Sequence, residues 1–192
     1  MKPSNLIVAS LAACACLAVP AYAASAEPTV LRFDPSSSDV RVAPIAGACT
    51  INIMQISDQR FTKDGVGVDS PIPTDSPQAW IASSLDSLSS YGFTVKHSAT
   101  PLPSAINLNV NLIRAYTWLG NMRINGMVAI DVTAPSMPNA GVEKFRAAGS
   151  KSNMMGANSE YVTALNYAVN NMVGKMAPAL QKHCQNAKLA SN

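Results

Sequence analysis

Few residues in this sequence could carry out chemistry. Its 192 residues include two histidines, four cysteines, 14 Lys or Arg and 11 Asp or Glu, for a formal charge of +3. His97 stands at a strand end and His183 beside Cys184. A nucleophile and its base must face each other across a hydrogen bond, which adjacency alone does not provide, and a disulfide at Cys184 would remove the thiol. There is no H-E-x-x-H, no G-x-S-x-G, no phosphate loop, and no C-x-x-C outside the N-terminal segment. Met154-Met155 offers two thioethers without partner ligands, and Asp64 to Asp69 lacks the ligand spacing of a calcium loop. The sequence therefore predicts no catalytic residue, cofactor or metal, and no enzymatic activity. The weak positive balance, with no Lys/Arg cluster, also argues against a nucleic-acid partner.

What remains is binding chemistry, and it centres on Ala105 to Thr133. Ile106, Leu108, Val110 and Leu112 alternate with Asn107, Asn109 and Asn111, the period-two pattern of a half-buried strand. After a turn, Ile124, Val128, Ile130 and Val132 alternate with Arg123, Asn125 and Asp131. A two-residue turn at Gly120-Asn121 would pair Val110 with Asp131 and bury a carboxylate, which is far too costly. A three-residue loop, Leu119-Gly120-Asn121, pairs Leu112 with Val128, Val110 with Ile130 and Leu108 with Val132, and is preferred; a bulge near Ile113 is the alternative. The preferred register puts Arg114 on the apolar face opposite Gly126. Candidate binding residues are thus Arg114, the polar face carrying Asn107, Asn109, Asn111, Asn125, Arg123 and Asp131, and the exit of the first strand, Asp58-Gln59-Arg60.

The elements that must hold these residues follow in order. Cys49 to Ile56 alternates as a strand, with Val30 to Phe33 as a short strand in an otherwise extended arm. Residues 61–75, with two glycines and two prolines, read as a loop. Ser76-Pro77 opens a helix with Trp80, Ile81, Leu85 and Leu88 on its apolar stripe, ending at Gly92. Trp80 reads as a core anchor. Phe93 to His97 is a strand, and Glu143 to Lys151 another. The last helix, capped by Asn158 or Ser159, repeats Tyr161, Leu165, Val169, Met172, Met176 and Leu180, with Pro178 kinking it or ending its regular part. The order β-α-β-β-β-β-α predicts an α+β fold, a two-layer sandwich of a mostly antiparallel sheet with two helices on one face.

The N-terminus reads as a targeting segment. Met1-Lys2, the apolar run Leu6 to Val19 and Ala21-Tyr22-Ala23 make a signal peptide over 1–23. An extended arm (24–47), a single domain (48–185) and a short tail (186–192) would follow. Leu11-Ala12-Ala13-Cys14 also matches the pattern before a lipid-modified cysteine, so soluble export to the periplasm and an outer-membrane-anchored lipoprotein both stand open. Membrane contact is then expected only through a lipid on Cys14. Cleavage after Ala23 leaves Cys49 and Cys184, which are predicted to pair as a disulfide in an oxidising compartment.

Asp58-Gln59-Arg60, the helix end Ser90-Tyr91-Gly92-Phe93-Thr94-Val95, the strand INLNVNLI and the long last helix, over residues 49 to 184, resemble the YajG-type family of bacterial envelope lipoproteins. The resemblance implies an envelope location and no catalytic residues, since the family's function is unknown. The A-x-A site after the lipobox candidate departs from its pattern. The function expected is a non-enzymatic binding or accessory role with another envelope component, protein or glycan. The alternative is a small periplasmic ligand-binding protein or hydrolase working through Arg114 or the asparagine face.

Overall fold

The computed structural model describes residues 30–63, 66, 72, 76–135 and 141–190, with side chains to Asn186. The segment 1–23 with Cys14, and the Asp64 and Asp69 ends of the faint cation loop, lie outside these residues.

Five strands form one curled, mixed sheet. They are β1 (Thr50–Asp58), β2 (Thr94–His97), β3 (Ile106–Gly120), β4 (Arg123–Thr133) and β5 (Glu143–Ser152). Their spatial order is β2-β1-β3-β4-β5. The two helices are α1 (Pro77–Asp86) and α2 (Asn158–Ala190). The α+β sandwich expected from the sequence is therefore present. The sheet is less antiparallel than expected: β1 pairs parallel with both β2 and β3, while β3–β4 and β4–β5 are antiparallel. The crossover through α1 returns the chain in the direction of β1, which makes the first pairing parallel.

Local signals set the ends of α1. Ser76 accepts a hydrogen bond from the Ala79 amide at 3.0 Å, with Pro77 at the first helical position. A 3-10 turn over Ser87–Tyr91 follows, and Gly92 closes it at φ 95°, a left-handed conformation glycine adopts without strain. Trp80 is buried, and its indole N–H donates to Asn166 Oδ1 at 3.0 Å.

The last helix rests on the sheet unusually closely. Across β3, β4 and β5, Thr117, Gly126 and Gly149 form one row facing α2, and Ala115, Val128 and Ala147 form the next. A Cβ built on Gly126 would lie 2.6 Å from the Ala164 carbonyl oxygen, and one on Gly149 would collide with Tyr167 and the Ala168 backbone. Helix backbone thus sits directly against sheet backbone. The helix runs through Pro178 and past Cys184 to Ala190, further than the proline and the expected tail at 186–192 suggested.

The described part of the arm before β1, from Val30 on, contains no strand, contrary to the expectation for Val30 to Phe33. It lies along α2, whose asparagines satisfy its carbonyls. Asn166 donates to Arg32 O (2.9 Å), Asn170 to Asp34 O and Ser37 O (2.9 and 2.8 Å), and Gln181 to Ala46 O (2.7 Å). The arm then enters β1 through Cys49, which is disulfide-bonded to Cys184 with Cα atoms 5.7 Å apart.

Two outcomes follow from this packing. Gly126→Ala should lower unfolding stability by about 1–3 kcal/mol or more, because the obstacle is helix backbone rather than a movable side chain; denaturant titration measures it. Reducing Cys49–Cys184 should lower stability by about 4–5 kcal/mol in the chain-entropy model, since the bridge closes a loop of 135 residues. Peptide mapping of unreduced protein should find neither thiol free.

Candidate binding face

The register of the central hairpin decides which residues meet a ligand. β3 pairs with β4 through Val110–Val132 and Leu112–Ile130, slips by one residue at Ile113, then continues through Arg114–Ala129, Thr117–Gly126 and Gly120–Arg123. The bulge near Ile113 is the arrangement adopted, and the three-residue loop is not. The pairs Leu112–Val128, Val110–Ile130 and Leu108–Val132 do not form. The turn is instead made by Asn121 and Met122 at φ 50° and 57°, both left-handed, as a two-residue hairpin with the twist of its strands requires.

The bulge turns Arg114 away from the helices. It is exposed, opposite Ala129, on the sheet face that neither described helix covers, rather than on the apolar face opposite Gly126. Tyr116 and Trp118 turn out with it. Their rings stack at 5.6 Å between centroids with a 35° tilt, and the Tyr116 hydroxyl donates to Met127 Sδ at 3.1 Å. Both aromatics are half-buried. The open face thus carries a stacked aromatic pair with a thioether, beside Arg114 on β3, Arg123 and Asn125 on β4, and Lys144 and Arg146 on β5. Asp131 lies further along the same face, with Asn111 and Lys144 as its cross-strand neighbours. An aromatic pair ringed by cations can stack on planar or sugar-ring surfaces and attract anionic groups.

The asparagines do not act together. Asn107 is buried: it donates to Leu102 O and Ala105 O, and accepts from Leu102 N (2.8 Å) and Asn52 Nδ2 (2.8 Å). It holds the loop before β3. Asn111 accepts from the Ser57 hydroxyl at 2.5 Å, and Asn109 is half-buried opposite Thr133. At the end of β1, Arg60 grips Asp58 through Nε (2.9 Å), Nη2 (2.8 Å) and its own amide (3.0 Å), while Lys63 binds the Asp58 carbonyl. Burial pushes the Asp58 carboxyl up, and the Arg60 hydrogen bonds and charge outweigh that, leaving it below its usual range. A carboxylate so fully held is a brace, not a proton acceptor.

Among the described residues each histidine meets one carboxylate. His97 Nε2 lies 2.7 Å from Asp86 Oδ1, with both side chains well exposed, beside a shallow groove of about 400 Å³ lined by Met54, Gln55, Gln78 and Ala79. His183 Nε2 lies 2.5 Å from Glu143 Oε1. Among the described residues no three His, Cys, Asp or Glu converge as metal ligands.

One end of the sheet was not legible from sequence. Leu119, Met122, Met154 and Met155 are exposed there, the methionines by 79–89%. The Asn153 amide donates to Met122 O at 2.9 Å, joining the hairpin turn to the loop before α2. That loop is held by one carboxylate: the amides of Met154 (3.0 Å), Met155 (3.2 Å) and Ala157 (3.2 Å) all donate to Glu160. Glu160 therefore helps close the entry to α2 in the manner of half a capping box.

The amide of Met154, then those of Met155 and Ala157, hold the Glu160 carboxyl below its ordinary value of 4.5. A depressed pKa contributes order that is complete above about pH 4.5 and is lost as pH falls through the lowered value. Amide protection over residues 154–157 should therefore be constant near neutrality and collapse in acid; Glu160→Gln should show the acid behaviour at pH 7.

No family model matches this chain, and no curated protein matches it. Several solved structures match this chain at low sequence identity. A DUF330 protein from Xanthomonas campestris has 10% identity over 83% of this chain and 99% of that one, with a TM-score of 0.49. A hypothetical protein from Chlamydia trachomatis has 12% identity over 71% and 98%, with a TM-score of 0.44. A lipoprotein candidate from Caulobacter crescentus has 11% identity over 70% and 91%, with a TM-score of 0.39. Likeness at this level assigns neither a family nor an activity.

Proposed function

We propose that this protein is an exported, non-enzymatic binding module of the bacterial envelope that recruits another envelope component, protein or glycan, to the open face of its sheet. The observation that carries this reading is the stacked pair Tyr116 and Trp118 with Arg114 beside it, turned out by the bulge at Ile113 onto a face that neither α1 nor α2 covers. Large aromatics left half-exposed beside cations are the residue types that dominate recognition surfaces. The sequence resemblance to YajG-type lipoproteins supports the envelope part. The alternative of a hydrolase or small-ligand protein needs Arg114 joined to a carboxylate in a pocket, whereas Arg114 is exposed opposite Ala129.

Photo-crosslinking side chains placed at Arg114 and, as a control, at Lys175 on α2 test the reading in intact envelopes. Adducts with protein or glycan are expected from position 114 and not from 175. Trp118→Ala should cut them roughly tenfold, the effect of losing about 1.4 kcal/mol of stacking. Equal labelling from both positions, or no effect of Trp118→Ala, would sink the proposal.

A further inference from the structure

The exposed end of the sheet has features that solubility and folding do not explain. Met122 occupies a left-handed position, φ 57°, where glycine or asparagine is favoured and a long side chain is a strain. Its side chain is 86% exposed, so burial of that side chain gives no compensation. Met154 and Met155 are 79% and 89% exposed, yet their backbone is fixed by the Glu160 carboxylate. Leu119 adds a fourth apolar side chain at 49% exposure. These are flexible, polarisable groups held outward by ordered backbone.

β3, β4 and β5 end together at this edge of the sheet: β1 stops pairing with β3 at Leu112, β4 pairs with β5 through Arg123–Ser152, and the Asn153 amide ties the Asn121–Met122 turn to the loop before α2. Small-molecule sites are concave pockets, and neither of the two described grooves is lined by these four side chains; four exposed apolar groups at one edge suit a medium that yields around them. Around the tip, Trp118 faces out two residues before Gly120, and Arg123 and Lys151 are exposed. An amphipathic ring behind apolar groups, with cations beside it, matches the acyl boundary and anionic headgroups of a bilayer surface. Glu160, the nearby anion, is occupied by backbone amides.

The first described residue, Val30, lies toward the N-terminal half of α2. Val30 leads into Arg32, whose carbonyl is held by Asn166, eight residues into α2 and so roughly 12 Å along its axis from Asn158. A lipid on Cys14 would precede Val30 by sixteen residues.

We propose that the tip formed by Leu119, Met122, Met154 and Met155 docks this protein onto an anionic lipid surface, with Trp118 at the interface and Arg123 and Lys151 against the headgroups. The whole protein is mixed with vesicles of phosphatidylethanolamine and phosphatidylglycerol carrying brominated acyl chains. Quenching of Trp118 is expected, whereas buried Trp80 serves as the unquenched reference and Trp118→Phe abolishes the signal. Met122→Gly should raise the melting midpoint yet weaken quenching, and adding Met154→Ser and Met155→Ser should reduce it at least tenfold. Arg123→Glu with Lys151→Glu should remove the preference for phosphatidylglycerol over phosphatidylcholine. Quenching is a contact readout, so these losses are expected even where an acyl chain on Cys14 keeps the protein on the vesicle. Unquenched Trp118 on vesicle-bound protein overturns the proposal. So does quenching unchanged in the triple variant, or a triple variant whose only change is a lower oligomer mass.

Discussion

The contact on which this structure depends is that of helix backbone with sheet backbone, where α2 crosses Gly126 and Gly149. Side chains normally keep a helix about 10 Å from a sheet. Here two adjacent glycines, with Ala164 and Ala168 above them, remove that spacing. Every larger choice nearby follows from the lack of room. The core side of β3 at this level carries only Ala115 and Thr117, and the aromatic residues that alternate with them must face outward. The bulge at Ile113 is the device that puts them there. The buried face and the proposed binding face are thus two results of one steric limit.

At the other end of α2 the constraint is covalent. Cys184 holds the start of β1, and between these two anchors the helix uses Asn166, Asn170 and Gln181 to bond the arm. Those side chains do what a neighbouring strand would do, so a stretch carrying Pro35 and Pro44, poorly suited to a ladder, is kept without one. Asn52 and Asn107 do similar work for the loop between β2 and β3.

How much of this could be read beforehand varied by element. The alternation at 106–112, the Ser76-Pro77 cap and the stripe of α2 are local patterns, and each formed as the pattern implies. Beyond Leu112 the hairpin departs from the expected register because strict alternation carried past Ile113, with a three-residue loop to keep Asp131 off the core face, leaves no place for the bulge that forms. What overrides it is the closeness of α2, a tertiary fact recorded only in the glycines. Gly126 looked like a gap for Arg114; it is a gap for Ala164. The asparagines of β3 looked equivalent because they alternate regularly, but Asn107 is buried beneath a loop whose path the strand pattern does not contain. The tip is not visible in the sequence because Met122 lies about thirty residues before Met154 and Met155, which read there only as two thioethers without partner ligands.

The way the arm is fastened also fixes how the protein bears a pull. Tension applied at Val30 meets the Asn166 and Asn170 hydrogen bonds first, then that of Gln181. These can unzip in turn, letting the arm lengthen. At Cys49 the unzipping stops, because the next link to α2 is a bond between sulfurs. The load then passes into the long helix and the sheet under it, so the arm serves as a slack line with a stop before any strand is stripped from the fold.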